Sequence, residues 1–303
     1  MSNAYLRFWG VRGSYSAPFE SHLGVGGNTS CVEIRVDDHV LLCDAGTGII
    51  PFGNEILKDP NVRELMIALT HYHWDHICGL PFFVPAFIPD WKIKFFGPGD
   101  SSLDIKNAVS AQMRAPFFPV GTETWLANIE YMDPPEENKI DHGPISFTFQ
   151  SVHHPGTTFG YRIHVNGKDI LYVSDNECLF LNKAIRQKYA EFSKEEKELY
   201  DAMQQEEYDA ELDLIKDADI LIHDAQYTPE DYRKKTGWGH SCYIDTVNTA
   251  IDAGVKELYL YHHDPNYDDD AIKIIEENAL KIIDDRSSDL KCHIAKEGLT
   301  VEL

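Results

Sequence analysis

The chain has 303 residues, 43% hydrophobic and 25% charged, which is ordinary for a globular protein and enough to bury a substantial core. Lysine and arginine total 27 against 50 aspartates and glutamates, a formal net charge of −23. A surface that negative repels polyanions and argues against tight binding to long nucleic acid or an anionic membrane, while a local basic pocket for a small anion remains open. None of the six cysteines forms a C-x-x-C pair, and a disulfide framework is not expected in a chain of this size. No apolar run reaches the ~18 residues of a membrane span, and the first residues lack the basic and apolar regions of a secretory signal. A reducing, cytoplasmic setting is the expectation.

Short apolar runs bounded by turn residues dominate the first third. Tyr5–Val11, Ser30–Val36 and His39–Cys43 read as strands, with turns at 24–28 and 37–38. A helix is expected within Gly48–Lys58. Leu65–Thr70 is a buried strand that ends where a histidine cluster begins, and ligands of α/β sheets bind beyond the carboxyl ends of strands. From Pro81 to Asp141 the chain is rich in proline and aromatics; it reads as a strand over Ile93–Phe96, a short helix over Leu103–Met113 and a long packed loop. Ile145–Val152 and Ile170–Ser174 are further strands, and Tyr161–Val165 and Lys168–Val173 flank Asn166-Gly167, a strong hairpin signal.

Ala184–Lys216 is polar, acidic and helix-prone, and Ser193-Lys194-Glu195-Glu196 fits a capping box. The plain reading is a solvated helical insertion; a lid or dimerisation element is the sharper one. Ala218–His223 and Glu257–Tyr261 are again buried strands running into histidines. Asp245–Ala253, stopped by Gly254, and Asp270–Asp284 are helices. Strands alternating with helices, with histidines at strand ends in both halves, suggest two βα halves facing each other. The expectation is one domain over residues 1–303, with insertions near 98–141 and 178–216.

His71-Tyr72-His73-Trp74-Asp75-His76 puts three imidazoles and a carboxylate within one short run. Neutral imidazole and carboxylate are good ligands for zinc and other first-row divalent metals. On a tight turn, His71 and His73 could share one metal, and Asp75 and His76 could serve a second. A second ion needs donors from elsewhere. His153 and His154, Asp175, and His262 and His263 each follow an expected strand, so they could gather at one edge of the sheets. A cluster this tight, matched at three further strand ends, is not the pattern of isolated histidines.

Leu69–His76, followed by Gly79-Leu80-Pro81, resembles the T-H-x-H-x-D-H signature of the metallo-β-lactamase superfamily, and Leu42–Gly48 resembles the strand and turn ahead of it. Later segments are similar to those of the tRNA 3′-processing endonucleases (RNase Z) and related phosphodiesterases. His154–Arg162 resembles their H-x6-G-Y-R segment, which selects His154 over His153. Tyr172–Asp175 resembles the strand carrying a bridging aspartate. Leu221–Ala225 resembles L-x-H-E-A with aspartate for glutamate at Asp224. Gly239-His240-Ser241 resembles the H-S-T segment, with Cys242 in place of threonine. Tyr259–His262 resembles the final L-x-x-H, which selects His262 over His263.

The resemblance implies an α/β fold, an αββα sandwich of two central mixed β-sheets flanked by helices. It implies two divalent metal ions, zinc by similarity with manganese or iron in relatives. His71, His73 and His154 would hold one, Asp75, His76 and His262 the other, and Asp175 would bridge. It also implies a homodimer. Two such metals lower the pKa of a shared water and stabilise charge on phosphoryl oxygens. Asp75 is the candidate proton acceptor and His240, oriented by Asp224, the candidate proton donor to the leaving oxygen.

RNase Z enzymes reach tRNA with a protruding basic or glycine-rich arm, and no such arm is evident. A small phosphodiester, such as a cyclic nucleotide, fits the acidic surface better. Trp74, Phe82, Phe83, Phe117, Phe118 and Trp125 include candidates for stacking on a base, although core packing suits most of them. Arg12, Arg114, Arg162 and Lys235 are candidate phosphate contacts. The alternatives are a metallohydrolase of another ester class, thioester or lactone, and a tRNA 3′-processing endonuclease.

Overall fold

The computed structural model describes residues 3–99, 101–180 and 189–303. Its first half supplies β1 (Ala4–Gly10), β2 (Cys31–Val36), β3 (His39–Cys43), β4 (Glu64–Ala68), β5 (Lys92–Phe96) and β6 (Asn128–Tyr131). The second half supplies β7 (Lys139–His142), β8 (Ile145–Ser151), β9 (Phe159–Val165), β10 (Lys168–Val173), β11 (Ile220–Asp224), β12 (Glu257–Tyr261) and β13 (Lys291–Ile294), and β14 (Thr300–Glu302) returns to the first. They form two seven-stranded sheets, ordered β14-β1-β2-β3-β4-β5-β6 and β13-β12-β11-β10-β9-β8-β7.

Both sheets are mixed in the same way. β1 to β3 and β7 to β10 are antiparallel meanders, whereas β3 to β6 and β10 to β13 are parallel. Parallel neighbours need crossover connections, and the helices lie in them: α1 (Ile49–Ile56), α2 (Trp74–Ile77), α3 (Ser102–Ala111), α4 (Lys194–Ile215), α5 (Pro229–Lys235), α6 (Tyr243–Asp252) and α7 (Asp269–Asp285).

Strand alternation divides the apolar residues between two cores. Leu41, Cys43, Met66 and Ala68 join the large core shared with the second sheet, while Val40, Leu42, Leu65 and Ile67 join the core beneath α1 and α3. Phe96 of β5 meets Phe147 and Phe149 of β8 with ring centroids 5.9 and 4.8 Å apart, so aromatics tie sheet to sheet. Phe147 is fully buried. Phe147→Ala is expected to cost about 3–5 kcal/mol in a urea unfolding experiment, the usual range for emptying a packed aromatic site; a change below about 1 kcal/mol would show that this contact does not hold the sheets together.

Local signals located most elements to within a few residues. The capping box forms in full: Ser193 Oγ accepts from the Glu196 amide at 3.2 Å, and Glu196 Oε2 accepts from the Ser193 amide at 2.7 Å. Residues 184–188 of the expected helical stretch lie outside the described residues. Gly254 follows α6 with φ 71°, a left-handed stop. The expected long loop before Asp141 instead contains β6 and β7, the outer edge of each sheet. Edge strands half open to solvent carry no continuous apolar run, which is why neither stood out. β13, β14 and α5 were likewise not anticipated. Among the described residues, no helix is long and apolar enough to cross a membrane.

Candidate metal centre

The cluster forms where strands end, along one edge. His71 and His73 follow β4, His154 follows β8, Asp175 follows β10, and His262 follows β12. The run 71–76 is not simply a turn: Asp75 and His76 lie in the single-turn helix α2, which begins directly after the extended residue His73. The donor atoms of His71, His73 and His154 all lie within 4.8 Å of one another, as do those of Asp75, His76 and His262. In the first group His154 Nε2 is 3.0 Å from His73 Nδ1. In the second, His262 Nε2 is 3.3 Å from His76 Nε2 and 3.2 Å from Asp75 Oδ2. Asp175 stands between them. Its Oδ2 is 3.9 Å from His71 Nε2 and 3.8 Å from His154 Nε2, and its Oδ1 is 3.1 Å from His76 Nε2 and 3.4 Å from His262 Nε2.

The inward atoms suit a cation. His76 Nδ1 is 2.8 Å from Asp44 Oδ2, His154 Nδ1 is 2.7 Å from the Gly239 carbonyl, and His262 Nδ1 is 2.9 Å from Gln226 Oε1. Each of those acceptors holds a ring proton on Nδ1, so that in the neutral imidazole Nε2 is the lone pair turned inward. Three lone pairs and the carboxylates therefore converge. His71 Nε2 and Asp175 Oδ1 are buried without a hydrogen-bond partner, which is costly unless a cation satisfies them. Burial, with His76 close by, pushes the His71 pKa well down, and burial takes His154 down to about 4, so both are neutral imidazoles suited to ligation. Burial also opposes ionisation of Asp175, but His262, His76 and His71 outweigh it and hold the carboxyl well below its usual range.

Several supporting residues were not among the candidate site residues of the sequence. Asp44 is fully buried and accepts from the Thr70 amide at 2.7 Å, from Thr70 Oγ1 and from Tyr172 Oη at 2.9 Å, besides facing His76. Asp44 and His262 adopt left-handed backbones, φ 64° and 59°, strain of a kind that persists where surrounding contacts over-determine it. A Cβ on Gly13 would fall 2.5 Å from the His262 ring, so glycine is needed there. Gln226 orients His262, and the Ser14 amide donates to Asp75 Oδ2 at 2.6 Å. The alternatives left open by the residues alone are separated: His153 is exposed and stacks on Phe180, and His263 Nε2 turns away to the Ala295 carbonyl.

His240 lies beside this cluster. Its Nδ1 is 2.7 Å from Asp224 Oδ2 and 3.7 Å from Asp175 Oδ2. Asp224 ends β11, is fully buried, and also accepts from the amides of Gln226 and Ser241. The shorter aspartate arm thus reaches the imidazole. Burial works against protonated His240, but Asp224 and then Asp175 outweigh it and raise its pKa. Glu177, likewise not among those candidates, takes the amides of Gly237 and Gly239 at 2.8 Å each and so fixes the turn leading into His240.

The expected phosphate contacts mostly have other work. Arg12 is fully buried and donates to the carbonyls of Gly26 and Tyr267 at 2.7 Å. Arg162 pairs with Asp169 and Lys235 with Asp264, each at 2.7 Å. Arg114 is exposed. Of the aromatics, Phe83 and Trp125 belong to the core, whereas Trp74 and Phe117 are 74% and 73% exposed.

Residues 24–93, which include β2 to β4, the run 71–76 and the start of β5, match the profile of the metallo-beta-lactamase superfamily. This match and the relatives that follow support a place in the metallo-β-lactamase superfamily. A ribonuclease Z from Thermoplasma volcanium is 25% identical over 295 residues, covering 88% of this chain and 90% of that protein. The metallo-beta-lactamase fold protein YhfI from Bacillus subtilis superposes over 100% of both chains with a TM-score of 0.66 at 17% identity. A diphosphatase from the PhnP family covers 99% of this chain and 98% of its own, with a TM-score of 0.62 at 16% identity. These structures share the αββα fold. These likenesses indicate a metal-dependent hydrolase, and the buried His/Asp cluster is its candidate site for divalent metal.

Proposed function

We propose that the chain is a dinuclear-metal phosphodiesterase acting on a small phosphodiester, of which a cyclic nucleotide is the leading example. The observation that carries this reading is the Asp224–His240 pair, placed 3.7 Å from the carboxylate that reaches both halves of the metal cluster. His71, His73 and His154 would hold one ion, Asp75, His76 and His262 the other, with Asp175 between; zinc suits this donor set, as do manganese and iron. Two ions there supply an activated water and neutralise charge on the phosphoryl oxygens.

Asp75, its Oδ2 held by the Ser14 amide, would accept the proton released by the attacking water on its other oxygen. His240, held by Asp224 through Nδ1, presents Nε2 to the departing oxygen and donates its proton there. Trp74, between His73 and Asp75 in sequence and open to solvent, offers a face for a base. The net charge of −23 disfavours a long polyanion.

A second reading, an RNA 3′-processing endonuclease, is favoured by the full-length likeness to ribonuclease Z. Side-by-side turnover of bis-p-nitrophenyl phosphate, cyclic nucleotides, a precursor tRNA, a thioester and a lactone, with and without chelator, separates the readings. Chelator-sensitive cleavage of small phosphodiesters is the expected result, with two metals per chain by elemental analysis. Cleavage confined to precursor tRNA would select the second reading. Cleavage confined to the thioester or lactone would defeat both.

A further inference from the structure

Cys178, Glu211 and His223 form a separate buried group whose donor atoms lie within 4.8 Å of one another. They come from three different elements: the segment after β10, helix α4, and strand β11. Cys178 Sγ is 3.0 Å from Glu211 Oε1 and 3.7 Å from His223 Nε2, and the last two atoms are 3.9 Å apart. A tetrahedral zinc with its usual bond lengths separates such S, N and O ligands by about 3.4–3.6 Å, so the triangle needs little adjustment. We propose that Cys178, Glu211 and His223 bind a thiophilic divalent cation, zinc by chemistry, at a structural site distinct from the His/Asp cluster.

Tautomer and charge support this. His223 Nδ1 is 2.8 Å from the Asp224 carbonyl, which puts the ring proton on Nδ1 and aims the Nε2 lone pair at the thiol and carboxylate. Asn176 Nδ2 donates to Glu211 Oε1 at 2.5 Å and also lies 3.4 Å from His223 Nε2 and 3.8 Å from Cys178 Sγ, so it must turn away from these last two for a cation to enter. One lone pair of that oxygen takes the amide and the other faces Cys178, as is usual for a ligating carboxylate. The cation takes the place of the thiol proton, which leaves to solvent. The resulting thiolate and carboxylate balance its two charges, so no net charge is buried.

The site ties the acidic helix α4 to the catalytic wall. His223 precedes Asp224 in β11, the Cys178 amide donates to Ser241 Oγ at 3.0 Å, and Ser241 follows His240. Glu211 is one of the few buried residues of an otherwise polar helix.

Cobalt(II) is the discriminating probe, because the His/Asp cluster offers only nitrogen and oxygen. Metal-free protein titrated with Co2+ should develop a thiolate-to-cobalt charge-transfer band in the near ultraviolet. The band should vanish in Cys178→Ser and persist in Cys78→Ser, the control for the partly exposed cysteine next to α2. No such band in protein fully loaded with cobalt, or its loss in Cys78→Ser alone, overturns the proposal. Should Cys178→Ser fail to fold, zinc-edge X-ray absorption of the zinc-loaded Cys78→Ser protein decides. A sulfur neighbour at about 2.3 Å supports the site, and a shell of nitrogen and oxygen only refutes it. Neither readout depends on which ester the enzyme cleaves.

Discussion

Asp175→Ala is expected to remove metal binding and hydrolysis together while leaving the fold in place. Among the described residues, Asp175 is the side chain whose two oxygens reach both groups of histidines, Oδ1 towards His76 and His262 and Oδ2 towards His71 and His154. Without it the two ions would face each other across the cluster with no shared anion, and their mutual repulsion would go uncompensated. Groups that merely orient a ligand cost 10–100-fold in affinity when removed. A shared ligand should cost more, so a loss above about 100-fold is expected, with turnover falling to that of a chelated sample. Metal analysis after dialysis, alongside circular dichroism, checks this. A folded Asp175→Ala protein that keeps two metals per chain would deny Asp175 the bridging place. The fold should tolerate the change, because Asp175 sits at the mouth end of β10 rather than within the apolar cores.

His240→Ala is expected to act on turnover alone. His240 lies within reach of Asp175 and His262, but its Nδ1 is taken by Asp224 at 2.7 Å and neither proposed ligand set needs it, so metal content should be unchanged. Loss of a positioned general acid lowers the rate by roughly 10²–10⁴-fold when the leaving group needs a proton. An alkoxide leaving group needs one; p-nitrophenolate does not. The variant should therefore lose far more activity on a cyclic nucleotide than on bis-p-nitrophenyl phosphate. Asp224→Asn should follow the same pattern more weakly, because the amide still holds the ring but no longer favours its protonated form. An equal loss on both substrates would mean that His240 binds or shapes the site without donating a proton.

The arrangement behind these residues explains why both effects depend on distant parts of the chain. Glu177 grips Gly237 and Gly239, and the Gly239 carbonyl in turn fixes His154. One turn thus serves a histidine of the metal cluster and the candidate acid at once. Asp44 does the same on the other side, joining His76 to Thr70 and Tyr172.

What the sequence determined by itself was local. The alternation of Val40, Leu41, Leu42 and Cys43 specifies a strand buried on both faces, Asn166-Gly167 a hairpin, Ser193 to Glu196 a helix start, and His71 to His76 a metal-binding run. Each depends on residues a few positions apart, whose geometry the backbone period sets. The residues alone do not choose His154 over His153 or His262 over His263; at the level of sequence only resemblance does so. They did not reveal Asp44, Gln226 or Glu177 as supports, the edge strands β6 and β7, or the burial of Arg12. Those were decided by tertiary structure, because they depend on partners far apart in the chain: Tyr172 is 128 positions from Asp44, and His262 is 186 from His76. Spacing along the chain orders neighbours, whereas the packing of two sheets against each other decides which distant side chains share one buried space, and hence which charges and lone pairs must be satisfied there.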